Sequence, residues 1–181
     1  MADWILTYSG RKFYPTAPRA EDVSVRDVAH ALSMLCRFTG HCHRFYSVAE
    51  HSVLVSQLVP AQHALWALLH DAAEAYVNDL ARPLKHDPLL AGYREAEDRV
   101  LRAIADRFDL TWPMPEAVHE VDVKLSSNER ADLFPGQEEV RGRGLPNLGR
   151  VRGLAPAEAE AEFLKRFKQL WWDRVREAEG L

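Results

Sequence analysis

Cysteine is scarce in this chain of 181 residues: Cys36 and Cys42 are its only two, so no disulfide framework staples the fold. Their spacing fits no structural zinc module, and they read as reduced thiols of a cytosolic protein. Long apolar runs are missing as well. The longest, Ala64 to Leu69, falls far short of the roughly 20 residues needed to span a bilayer. The opening segment MADWILTYSGRK carries neither a basic leader nor a long apolar core, so no signal peptide is expected. There is no P-loop or other glycine-rich cradle, so a bound phosphate would have to be held by side chains or a metal. Positive charge is not in surplus either: 23 Lys and Arg stand against 27 Asp and Glu, a net −4. That balance speaks against a general grip on nucleic-acid backbones, while leaving room for a small anionic ligand in a locally positive site.

What the chain does contain is helical pattern. With 47% apolar and 28% charged residues it has the composition of an ordinary globular protein. A domain of this length hides roughly 70% of its unfolded-chain surface without staples. Trp4 to Thr7 and Arg11 to Tyr14, around a turn at Ser9-Gly10, read as a short β-hairpin closed off by Pro15 and Pro18. From there the apolar period is helical. Ser24 with Asp27 suggests a capping box for a helix over 24–36, with Val25, Val28, Ala29, Leu32 and Leu35 as its stripe. Ser47 with Glu50 makes a better box for 47–59, with Val48, Val55 and Leu58 inward. Residues 61–77 read as one very apolar, central helix. Asp87-Pro88 starts another that runs to about Phe108, and Pro113 and Pro115 introduce 115–133. Pro156 opens a last amphipathic helix to about Glu179, with Phe163, Phe167, Leu170 and Trp171 on one side. Pro135 to Gly153, rich in Gly and Arg, has no period and reads as a loop. The expectation is an all-α fold, one domain over 1–181, with a short N-terminal hairpin.

Chemistry concentrates in the central helix. His70, Asp71, Glu74 and Asp79 interrupt an otherwise apolar stretch, and such groups are costly to bury without a reason. Glu74 lies four residues from His70 and three from Asp71, so the three share one helix face. His51 sits within the apolar segment SVAEHSVLV, and Asp122 lies between two valines in EAVHEVDVKL. Two imidazoles and two carboxylates converging from three helices would suit a divalent metal. Mixed N and O ligation favours Mn, Fe, Co, Ni or Zn over Mg or Ca.

The ordered segments HALSMLCRFTGH (30–41), FYSVAEHS (45–52), LLHDAAEAYVNDLARPLK (68–85) and VDVKLSSNERADL (121–133) carry a resemblance. The chain resembles the HD-domain metal phosphohydrolases, named for their adjacent His-Asp pair, over roughly 24–134. Within that superfamily it looks closest to the YfbR-type 5′-deoxynucleotidases and the phage-type dATP triphosphohydrolases known as DatZ. The resemblance implies a compact HD-domain helical bundle that takes a divalent transition metal on His51, His70, Asp71 and Asp122. It also implies Glu74 and Asp79 as catalytic carboxylates and Arg37 as a phosphate or sugar contact. Deoxynucleotide hydrolysis, with dATP a serious candidate, would release the deoxynucleoside and phosphate or triphosphate. A homo-oligomer in the cytoplasm is implied too, and Trp171-Trp172 could serve its interface.

Around that core, Phe38 could stack on a base and Lys85 could counter phosphate charge. In the resembling branch the segment after the second catalytic acid passes beside the ribose, which makes Pro83 a rigid wall at C2′. His30 reads as a hydrogen-bonded core residue, Glu129 and Arg130 as a structural ion pair, and His63, His86 and His119 receive no role. Arg141, Arg143, Arg150 and Arg152 could form a lid or a solvated loop. The competing readings are an HD hydrolase of alarmones or cyclic nucleotides, and a non-catalytic nucleotide-binding protein. Neither a nucleic acid nor a membrane is an expected partner.

Overall fold

The computed structural model describes residues 3–137, 139 and 151–179, the last three of these by backbone alone. Strands β1 (Ile5–Leu6) and β2 (Lys12–Phe13) pair antiparallel, with Ile5 opposite Phe13 and Leu6 opposite Lys12. Phe13 is driven into the core and stacks on Tyr76 at 3.8 Å between ring centroids. Helix α1 (Val25–Met34) follows, with Val28, Ala29 and Leu32 buried as its stripe requires. The expected capping box at its start does not form, because Ser24 makes no side-chain cap. Asp27 instead reaches back to the hairpin turn, accepting from Ser9 N at 2.6 Å and Ser9 Oγ at 2.8 Å. The acid that local spacing assigns to the cap therefore clasps the hairpin to the helix.

In α2 (Val48–Leu58) the Ser47 hydroxyl does accept from Glu50 N at 3.1 Å. The Glu50 carboxylate is drawn elsewhere and accepts from the backbone N–H groups of Arg152, Gly153 and Leu154 at 2.7–3.1 Å. Gly153 takes φ +69°, which L side chains rarely adopt, and a Cβ there would press on Phe45 O at 3.0 Å. Leu58, expected inward, is exposed at the end of α2.

The segment expected as one helix over 61–77 is broken. A 3₁₀ turn (Ala61–His63) leads into α3 (Ala64–Leu69), and α4 (Glu74–Val77) resumes after an interruption at 70–73. There the backbone tightens to i→i−3 bonds, Ala72 N to Leu69 O and Glu74 N to Asp71 O, both at 3.0 Å. A short α5 (Arg82–Lys85) precedes α6 (Ala91–Arg107), α7 (Glu116–Leu133) and α8 (Pro156–Glu179). α8 packs on α1, α2 and α3 through buried Phe163 and the partly buried Phe167, Leu170 and Trp171. Apolar side chains of α1, α2, α3 and α6 meet it in one cluster, and α2, α3 and α7 share a second around Val55, Trp66 and Leu125. The fold is mostly helical and compact with a short N-terminal hairpin. No described helix is long and apolar enough to cross a membrane.

Candidate metal centre

Three elements meet where α3 is interrupted. His51 comes from the middle of α2, His70 and Asp71 from the turn that ends α3, and Asp122 from the first half of α7. His51 Nε2 lies 3.2 Å from His70 Nε2, 3.1 Å from Asp122 Oδ1 and 3.6 Å from Asp71 Oδ2. His70 Nε2 lies 3.2 Å from Asp71 Oδ2 and 3.9 Å from Asp122 Oδ1. Ligand atoms about 2.1 Å from a shared ion stand roughly 3.0 Å apart across a right angle and 3.4 Å across a tetrahedral one. Three of the observed spacings, at 3.1–3.2 Å, fall between those edges, and the two from Asp71 to His51 and from Asp122 to His70, at 3.6 and 3.9 Å, lie just beyond them. His51, His70 and Asp71 thus form a group that could hold a metal ion, and Asp122 stands beside it.

Both imidazoles are aimed by their other nitrogen. His70 Nδ1 donates to Ala67 O at 2.7 Å and His51 Nδ1 donates to Glu129 Oε1 at 2.5 Å. That leaves each Nε2 lone pair for the site. Burial and the Arg37 charge disfavour a cationic His51, yet Glu129 and Asp122 outweigh them and raise it to about 9. Burial likewise raises Asp71 and Asp122, but the neighbouring histidines win. Asp71, with help from Arg37, lies well below the usual carboxylate range, and Asp122 falls to about 2. The field therefore demands positive charge at His51 Nε2, and the N and O donor set fits a divalent ion replacing that proton.

The chain is 38% identical over 174 residues to the protein YfdR of Escherichia coli strain K12, across 92% of this chain and 95% of YfdR. The chain belongs to the YfdR family. RCAP_rcc00048 of Rhodobacter capsulatus is 34% identical over 184 residues, across 90% of this chain and 93% of that one. No family model matches. Matches this long must include α2 through α7, so every element of the centre lies within the shared region.

The other expected site residues line one cleft of about 1030 Å³, whose wall includes His70, Asp71 and Asp122. Arg37, Phe38, Glu74, Asp79, Pro83 and Lys85 all border it, while His51 is buried behind. Arg37 caps no helix: Nη1 reaches Asp71 Oδ2 at 3.4 Å and Nη2 reaches Glu129 Oε2 at 3.1 Å. Its buried Nε has no partner among the described residues. Phe38, at φ 56°, stands edge-on to Phe134 at 5.3 Å. Glu74 is buried, its Oε2 has no partner among the described residues, and burial with the charges of Asp71 and Asp79 pushes its carboxyl well above the usual range. Burial also raises Asp79, with Asp71 adding to it. Lys85 pairs with Glu97 on α6 at 2.5 Å. Pro83 lies exposed in α5, bordering the cleft.

Glu129 departs from its expected role. It is not the structural partner of Arg130 but a fully buried acceptor for His51 Nδ1, Tyr46 OH (2.7 Å) and Arg37. Burial raises its carboxyl, but Arg37 and His51 bring it down to about 2. Its position seven residues after Asp122, two turns along the same face of α7, was the available signal. His86 and His119, given no role, also border the cleft. His30 is half-buried rather than in the core, bonded to Glu160 at 3.0 Å and stacked on Tyr8. Arg152 pairs with Glu162 at 2.7 Å, while Arg141, Arg143 and Arg150 lie outside the described residues.

Proposed function

We propose that this chain is an HD-domain-type, divalent-metal-dependent phosphohydrolase acting on deoxynucleotides in the cytoplasm. The observation that carries the reading is the convergence of His51, His70, Asp71 and Asp122 beside a cleft that also holds a buried Glu74, whose Oε2 has no partner among the described residues. Their mixed donors favour Mn, Fe, Co, Ni or Zn. When bound, such an ion supplies Lewis-acid activation of water and neutralises charge on a phosphoryl group.

The chain's own groups do the rest. Glu74, kept protonated by burial and by Asp71 and Asp79, holds a proton at its carboxyl for a leaving oxygen. Asp79, half-buried at the cleft, orients the attacking water and accepts its proton. Arg37 anchors Asp71 and Glu129, and the Nη N–H groups those two bonds leave over are its donors for a phosphate oxygen in the cleft it lines. Phe38 offers a ring face to the base. Manganese- or cobalt-loaded protein, incubated separately with deoxynucleoside mono- and triphosphates and their ribose counterparts, tests the reading through the phosphate species released. Release of phosphate or triphosphate from a deoxynucleotide supports it. Metal-loaded protein that releases neither from any of them refutes it.

A further inference from the structure

The loop carrying Arg37 and Phe38 is pinned at both ends. Cys36 pairs with Ser47 in an isolated antiparallel bridge, and Arg37 N donates to Tyr46 O at 2.9 Å. At the far side, His43 N and Nδ1 donate to Leu133 O at 3.0 and 2.7 Å. Between these anchors the chain folds back on itself through Gly40 N to Arg37 O and His41 N to Phe38 O. Phe38, Thr39 and Gly40 all take positive φ, at 56°, 55° and 75°. The result sets the two cysteines face to face across the neck, with their Sγ atoms 3.7 Å apart. Both are free and half-buried. Forming a bond of about 2.0 Å requires the sulfurs to approach by roughly 1.7 Å. Arg37, Phe38, Thr39 and His41, all inside this neck, line the cleft.

We propose that Cys36 and Cys42 are a reversible dithiol–disulfide site whose oxidation clamps the Arg37–His41 loop on the wall of the cleft. The co-reactant is a small disulfide such as oxidised glutathione. The thiolate of one cysteine attacks a glutathione sulfur, expelling one glutathione thiolate and leaving a mixed disulfide. The thiolate of the other attacks the protein sulfur of that bond and expels the second glutathione. Two cysteine thiols lose two electrons and two protons, and one glutathione disulfide becomes two thiols. Burial and the neighbouring thiol raise Cys42, so it rests as a thiol until exchange begins.

Incubating the full chain with oxidised glutathione and then alkylating it tests the proposal, and no substrate is needed, so the result is independent of the phosphohydrolase reading. The wild type should lose both free thiols and two hydrogen atoms in mass, reversibly with dithiothreitol. Trypsin cuts after Arg37, so the two cysteines leave in separate peptides that stay joined only if the bond has formed. At least one of Cys36→Ser and Cys42→Ser should stop at the glutathione adduct. In the oxidised wild type, backbone amide exchange over 38–41 should slow. Persistent glutathione adducts on the wild type, two alkylatable thiols, or no adduct on either variant overturns the site, and unchanged exchange in the oxidised protein overturns the clamp.

Discussion

Glu129→Gln tests the buried network behind the metal centre, because it removes one charge while keeping the volume. The carboxylate accepts three bonds: His51 Nδ1 and Tyr46 OH on Oε1, and Arg37 Nη2 on Oε2. An amide cannot serve all three. If its oxygen faces His51 and Tyr46, its NH₂ confronts the Arg37 guanidinium, donor against donor, where Asp71 at 3.4 Å is the remaining carboxylate bonded to Arg37. Breaking a buried pair from one side costs about 3–5 kcal/mol. At about 2–4 °C per kcal/mol for a chain of this length, Tm should fall by roughly 6–20 °C. If the amide flips, its NH₂ faces His51 Nδ1, which must become the acceptor, and the proton moves to Nε2, where the metal would bind. Either orientation weakens His51 as a donor, and losing such an orienting partner typically costs about 10–100-fold in metal affinity. Calorimetric titration of the metal-free protein with manganese or cobalt, beside thermal melts in chelator, measures both effects. A folded Glu129→Gln protein with wild-type metal affinity refutes the argument that Glu129 aims His51.

Glu129 also carries a pH signature. Its folded-state pKa of about 2 lies below the ordinary 4.5, so its stabilisation is complete above pH 4.5 and is lost as pH falls toward 2. Chemical unfolding across that window should show a shallower loss of stability in Glu129→Gln than in the wild type. Asp71→Asn should lose both metal and activity, because a neutral amide leaves the ion's charge under-compensated; full metal occupancy in the purified variant would remove Asp71 from the ligands. Glu74→Ala and Asp79→Ala should keep the metal and lose about 100-fold or more in turnover, and near-normal kcat in both would take them out of the mechanism. Pro83→Ala should raise kcat/KM on a ribonucleotide relative to its deoxy partner, within the roughly 10–200-fold range of small-group discrimination. An unchanged ratio would make Pro83 a turn residue.

Signals that act over one or two turns were legible before any fold was in view. Pro156 opens α8 and Asp87-Pro88 opens the turn into α6, because a fixed φ and a side-chain cap work wherever the chain goes. The stripes of α1 and α8 point inward as their period requires, and His51, His70, Asp71 and Asp122 stand out because polar groups on apolar faces are costly to bury. Such patterns nominate residues without choosing their partners. Asp27 left its expected cap for a hairpin turn 18 residues away, and Glu50 turned to a strand of backbone more than 100 residues on. Residues 61–77 broke at the centre itself, a break that no local breaker residue foretells. Glu129 meets His51 across 78 residues and Arg37 across 92, separations at which local pattern carries no information. By itself the sequence determined where α1, α2, α7 and α8 begin and which polar residues needed a reason to be buried. Only the tertiary structure decided which of them face one another, since a buried charge takes its partner from whatever the packed helices bring within about 3 Å.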